Sequence, residues 1–239
     1  MKKIELLGVK IATLEPTEID STLADFLHTP GLKQIVTVNP EFLVTAQEDS
    51  EFKAILNSAD LALPDGVGII YVSKILGKKI SRTNRMTGVE LTHSLLKLAE
   101  AEQKTVEIVL PANALSTQEE ILINVKKLNP QSIVKVIAAA DVQEQSPRAD
   151  IIFVALGAPE QEKWIWSQRE KLLGTKIAVG VGGTFDFISG KIPRAPQWLR
   201  SLGLEWLYRL YQEPRRRFKR IIRAVIVFPW LVLTKSNNQ

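Results

Sequence analysis

A single carboxylate, Asp65, stands between Pro64 and Gly66 in the stretch "LALPDGVGII". A carboxylate presented at the end of a strand can take a proton from a hydroxyl, but Pro-Asp-Gly is equally a turn signal. Four further segments carry residues that bind anions or donate hydrogen bonds. "TVNPE" supplies Thr37 and Asn39, and "ISRTNRMTG" supplies Arg82 and Arg85. "ALGAPEQEKW" supplies Gly157, Gln161 and Lys163, and "GVGGTFD" supplies Gly180, Gly182, Gly183, Thr184 and Asp186. An acid, an arginine, a glutamine and a glycine-rich turn form a set suited to proton abstraction beside a bound phosphate.

Each of these residues also has a plainer role. Asp65 taken alone reads as a turn residue. Thr37 and Asn39 can cap a helix that begins at Pro40. Arg85 can be a surface cation, and His93 on an amphipathic helix reads as structural. The glycines of "GVGGT" let a strand pack tightly on a helix as readily as they let backbone N–H groups approach phosphate. That turn is neither a Walker loop nor a GxGxxG fingerprint. Gln161 is either a solvated first-turn residue or a hydrogen-bonding arm at a helix N-terminus. What favours chemistry is their convergence on one edge of a sheet.

The elements that must position them alternate along the chain. Short apolar runs over 34–39, 61–64, 106–111, 133–140, 150–157 and 176–183 read as strands. Several lack polar alternation, which suits strands covered on both faces. Helices are predicted over 40–57, 67–76, 88–103, 116–128 and 159–173, with Pro40 and Pro159 in first-turn positions. The N-terminal stretch reads as a strand or hairpin, with no apolar core of a signal peptide. This βαβα order predicts a Rossmann-like, mostly parallel sheet with helices on both faces, and ligands bound at the carboxyl ends of the strands.

Composition bounds the rest. With 239 residues, 45% of them hydrophobic, there is chain enough for one large core with an appendage. There are no cysteines and only two histidines, His28 and His93. Thiolate chemistry, disulfides and a histidine-rich metal centre are therefore excluded or disfavoured. No Asp-x-Asp is present, so no metal or other cofactor is expected. A cytosolic location follows by default.

Charge is divided unevenly. From Arg209 onward there are eight cations against Glu213 alone, a net +7 within a chain total of +5, which leaves −2 for residues 1–208. Composition shifts near residue 195, which divides a core over 1–195 from a basic, amphipathic appendage over 196–239. The apolar run Ile221–Leu233, broken by Arg223 and Pro229, is shorter than the ~20 residues a spanning helix needs. An interfacial helix fits better, with Phe228 and Trp230 on the apolar side and Arg217, Lys219 and Arg223 toward anionic headgroups. The plainer reading is a buried oligomer contact for the apolar run and a solvated basic face. Nucleic-acid binding by the tail would leave Val225, Ile226 and Val227 without a partner, so no nucleic acid is expected.

Six motifs carry a family resemblance: "VNPEFLVTAQEDSEF", "NSADLALPDGVGIIYVSKILG", "RMTGVEL", "FVALGAPEQEKWI", "VGVGGTFDFISGKIPRAP" and "LGLEWLYRLYQEPRRRFKR". In this order they resemble the WecG/TagA/CpsF glycosyltransferases, glycosyltransferase family 26, over most of the chain. The resemblance implies inverting, metal-independent transfer of an N-acetylmannosamine-type sugar from a UDP-sugar. The acceptor would be polyprenyl-diphosphate-linked N-acetylglucosamine at the inner face of the cell membrane, for teichoic acid or other surface polysaccharide. It further implies a homo-oligomer and a C-terminal appendage that meets the membrane and completes the site. By motif position, Asp65 would be the general base, with Thr37 and Asn39 lining its pocket. Arg85 and Gln161 would bind donor or acceptor, and Arg209, Arg216 and either Lys219 or Arg220 would meet diphosphate. Two segments depart from the family pattern: "PANALS" after "VEIVL", and the short "DVQEQSPRA" after "VKVIAAA". Both would lie near the nucleotide and leave its identity open. The runner-up readings are a nucleotide-dependent oxidoreductase, which lacks its glycine fingerprint, and a basic-tailed, non-catalytic binding module.

Overall fold

A computed structural model of the chain describes residues 1–78, 80–143 and 149–236; the side chains of Val142, Gln143, Ser201, Arg216 and Ser236 lie outside that description. The short connection expected to bear on the nucleotide falls largely on residues 144–148, outside the described residues.

An antiparallel hairpin comes first, β1 (Lys3–Leu6) and β2 (Val9–Ala12), turned by Leu7 and Gly8 at positive φ. Helix α1 (Pro16–His28) follows and buries Ile19, Leu23 and Leu27 along one face. The sequence reading assigned no helix there, although these residues repeat at helical spacing.

Six strands then build the main sheet: β3 (Lys33–Val38), β4 (Leu61–Pro64), β5 (Thr105–Leu110), β6 (Ile133–Ala138), β7 (Ile151–Val154) and β8 (Ile177–Gly180). Their order is β4-β3-β8-β7-β5-β6 and every pairing is parallel. Between them run α2 (Pro40–Glu48), α3 (Ser50–Ser58), α4 (Val67–Ile75), α5 (Gly88–Ala101), α6 (Gln118–Leu128) and α7 (Glu160–Gln168), and α8 (Thr184–Ile188) follows β8. The single helix predicted over 40–57 is two. Asp49 leaves helical geometry, and its side chain accepts from the Phe52 N–H at 2.9 Å to start α3.

Successive strand residues point to opposite faces, and both faces are covered. Ile35, Leu63, Phe153 and Val179 pack against α1 and α5 through Leu23, Leu91 and Leu95. Val36, Val38 and Ala62 pack against α2 and α3 through Phe42, Leu43 and Phe52. Ile152, Val154 and Ala178 face Ile165 of α7. Two-sided burial is why these runs show no polar alternation. The expected α/β class, a parallel sheet between helical layers, is the fold.

The chain ends in α9 (Gln197–Ser201), α10 (Glu205–Gln212), α11 (Pro214–Ile222), a π-helical turn over Arg223–Val227, and α12 (Phe228–Ser236). No helix among the described residues is long and apolar enough to cross a membrane. The last segments lie along α2. Arg220 pairs with Glu41 at 2.7 Å, and Arg223 with Glu48 at 2.8 Å. The α2 residues Glu41, Thr45 and Glu48 form a stripe of acceptors one helical face long. Phe228 is 0% exposed and Val232 1%, both in the core against α2. Phe228 therefore does not sit on an outward apolar side as expected; the π turn rotates it onto the body. Arg223 is likewise tied to α2 instead of facing outward.

Candidate active site

The loops after β3, β4, β5, β7 and β8 meet over a cleft of about 1330 Å³ at the carboxyl end of the sheet, and α10 and α11 form its far wall. Asp65 follows the last residue of β4 and extends the ladder, its N–H donating to the Val38 carbonyl at 2.7 Å. Gly66, with φ at +94°, turns the chain directly into α4, so the carboxylate is left at the sheet edge. Burial pushes the Asp65 carboxyl up to about 6, against the pull of Arg209 and Arg85; Glu205 and Glu90 push the same way as burial. Asp65 still reaches the cleft surface, so burial here means a carboxylate at the bottom of an open groove.

Thr37, on β3, is buried and lines the same cleft. Asn39 lines it too, while its side chain accepts from the Phe42 N–H at 3.0 Å and caps α2. Arg85 reaches the cleft from the loop before α5. These four residues, drawn from three separate segments, are thus brought together.

Gln161 and the glycine turn line the same cleft. Gln161 is 3% exposed, and its side-chain oxygen accepts from the Gly157 N–H at 3.1 Å and the Gly182 N–H at 2.9 Å. Its amide nitrogen donates to Glu162 at 2.7 Å. The side chain thus clamps two strand-end loops together at the cleft wall. Several N–H groups of the glycine turn are engaged within the protein. The Gly182 N–H is engaged by Gln161, the Val181 N–H by Val154 and the Thr184 N–H by Val181. Gly182 and Gly183 line the cleft mainly as surface. At Gly180 a Cβ would meet the Gln161 amide at 2.4 Å and the Glu162 carboxyl at 2.5 Å, so glycine there makes room for the pair. Glu162 is 0% exposed and burial pushes it up to about 8. Lys163, by contrast, only ties α7 to α3 through Asp49 and Glu51, each at 2.7 Å.

The appendage supplies the cations. The Arg209 guanidinium stacks on Phe187, 4.5 Å from the ring centroid, and donates to Glu205 at 2.7 Å. Arg217, expected toward a membrane, instead lines the cleft and pairs with Glu213 at 2.7 Å. Its helix register places it on the inner face beside Arg220, which also lines the cleft; Lys219 does not and is exposed. Of the two candidates Lys219 and Arg220, only Arg220 lines the cleft. The Arg216 side chain lies outside the described residues. Glu205 and Arg217 were not read as site residues, although the Glu205–Arg209 spacing of four was visible. Among the described residues no cluster of three or more histidines and carboxylates could hold a metal.

Such a site, one carboxylate raised toward neutrality among guanidinium groups at the carboxyl edge of a parallel sheet, has the features of an α/β enzyme cleft suited to anionic ligands. The chain matches the Glycosyl transferase WecG/TagA/CpsF family over residues 4–239 and belongs to it, which makes it a glycosyltransferase. It is similar to an N-acetylglucosaminyldiphosphoundecaprenol N-acetyl-beta-D-mannosaminyltransferase of Bacillus spizizenii (strain W23), 37% identical over 214 residues, 83% of this chain and 81% of the relative. A Bacillus subtilis (strain 168) protein of the same name is 32% identical over 215 residues, 86% of this chain and 80% of the relative.

Proposed function

We propose that the protein transfers an N-acetylmannosamine-type sugar from a UDP-sugar to a polyprenyl-diphosphate-linked N-acetylglucosamine, with inversion and without a metal. Asp65 takes the proton of the acceptor hydroxyl. The freed oxygen bonds to the anomeric carbon as the sugar–phosphate bond breaks, and that bond's electron pair leaves with UDP. Arg85, Arg209, Arg217 and Arg220 meet the two diphosphates, where fork-shaped donors suit paired phosphate oxygens. Thr37 and Asn39 line the sugar end. The cleft volume of about 1330 Å³ exceeds the roughly 300–1,000 Å³ of a single small-molecule site, as two substrates require.

The observation that carries this reading is Asp65, raised to about 6 between Arg85 and Arg209 at the base of that cleft. A carboxylate so tuned is ionised at neutral pH yet basic enough to share a proton in the transition state. We further propose that residues 196–239 act as an appendage docking the enzyme peripherally on the anionic inner face of the cell membrane. Support comes from exposed Ile226, Trp230 and Leu233, spaced four and three apart, beside exposed Arg215 and Lys219.

The test is UDP release from UDP-N-acetylmannosamine with a lipid-linked or lipid-analogue acceptor. Asp65→Asn lowers turnover at least about 100-fold, the lower range for loss of a general base. Because the base works ionised, wild-type kcat/KM rises with pH through about 6 and then levels. Turnover unaffected by Asp65→Asn rules out the base assignment, and loss of turnover on adding EDTA rules out the metal-free reading.

A further inference from the structure

We infer that Glu205 is a positioning residue for the transfer: it clamps the Arg209 guanidinium against Phe187 and sets a second negative charge beside Asp65. The inference rests on reading Asp65 as the base.

Glu205 opens α10, where any carboxylate suits the helix N-terminus. That accounts for its sign but not for its place. Its side chain is only 15% exposed, and it lines the cleft instead of facing water. One turn on, Arg209 is held on two sides, by Glu205 at 2.7 Å and by the Phe187 ring at 4.5 Å. A long arginine has many rotamers, and fixing it before substrate arrives removes an ordering cost from binding. As an isolated ion pair near the surface, such a bridge contributes little to stability. Two-sided fixation of a guanidinium inside a cleft is what a preorganised anion clamp requires.

The second effect is electrostatic. The charges that bear on Asp65 come from three elements: Arg85 in the loop before α5, Glu90 in α5, and both Arg209 and Glu205 in α10. Burial raises the carboxyl, the two cations pull it down, and Glu205 and Glu90 oppose that pull. Glu205 offsets Arg209 from the same helix, so the enzyme gains a diphosphate-binding cation without losing its base. The same carboxylate acts on Arg194, whose charged form it favours against burial and neighbouring arginines.

The experiment compares wild type, Glu205→Gln, Glu205→Asp and Asp65→Asn by UDP release, recording kcat and KM across pH together with melting temperature. Glu205→Gln loses the charge. It is expected to lower kcat/KM on the order of 10- to 100-fold, the scale of a misplaced positioning contact, and to move the acidic limb below pH 6. Glu205→Asp keeps the charge but loses reach, so the limb stays while kcat/KM falls. Wild-type kcat/KM and an unmoved limb in both variants overturn the inference, as does an upward shift in Glu205→Gln. Should Glu205→Gln not fold, Glu205→Asp decides: a reduced kcat/KM with a fixed limb supports the role, and a wild-type value refutes it. Asp65→Asn separates the two readings. Its inactivity beside unaffected Glu205 variants removes only this inference, whereas its full activity removes the base.

Discussion

Two carboxylates in this protein are raised by the same force, withdrawal from water, and do different things. Asp65 faces an open cleft among guanidinium groups, so it stays near neutrality and available. Glu162 is sealed beneath Gly180, with one oxygen receiving Gln161 and the other without a partner among the described residues. Burial holds it protonated up to about pH 8 in the folded chain, against an ordinary value of 4.5. Between those values the folded state binds the extra proton, so stability falls as pH rises across the window. Glu162→Gln keeps an acceptor for Gln161 and removes the ionisation. It is expected to flatten that slope and to gain about 1–3 kcal/mol at pH 8, measured by denaturant unfolding at several pH values. An unchanged slope would show that Glu162 is not the group responsible. Gln161 is buried, not a solvated first-turn residue, and it lines the cleft while bridging two loops. Its partners are the Gly157 and Gly182 N–H groups, four and 21 residues away, a convergence no local pattern encodes.

At the scale of elements, the C-terminal helix has two apolar faces with opposite destinations. Phe228 and Val232 enter the core on α2, whereas Trp230 is 61% exposed and Leu233 54%. Phe228→Ala is expected to cost about 3–5 kcal/mol by thermal or denaturant unfolding, the range for emptying a buried aromatic site. Trp230→Ala, an outward residue, is expected to stay within about 0.5 kcal/mol. Equal losses in the two variants would mean that the run packs differently. The apolar run itself was legible, and so was its shortness for a span. Which face turned inward was not, because the π turn at Arg223–Val227 resets the helical phase and three α2 acceptors choose the docking register.

Across the whole molecule, the division of charge noted along the chain becomes a division of space. Part of the basic tail turns inward: Arg220 and Arg223 pair with α2, and Arg209, Arg217 and Arg220 line the cleft. Arg215 and Lys219 remain exposed beside Phe218, Ile226 and Trp230. Near an anionic surface each such cation contributes on the order of 1 kcal/mol, and the exposed apolar groups add burial. The expected outcome is flotation with vesicles of anionic phospholipid that weakens as salt rises, and that falls further in Arg215→Gln/Lys219→Gln and in Trp230→Ala. Equal flotation with neutral and anionic vesicles would remove the electrostatic part of the docking.

The sequence by itself determined the fold class, the six strands and the cluster of polar residues at their ends. The reason is that these properties are written in short-range periodicity: apolar runs for strands buried on both sides, helical spacing between them, and turn residues where a strand must stop. The tertiary structure alone decided what those polar residues do. It made Gln161 a clamp between two loops at the cleft wall, drew Arg217 inward, sent Phe228 into the core and paired Glu205 with Arg209 over Phe187. Each outcome depends on which surfaces from distant segments meet and on how little water remains between them. Asp65 shows both halves of this: its position after a strand could be read from its neighbours, but its basicity comes from burial and from charges on α5, α10 and the loop before α5.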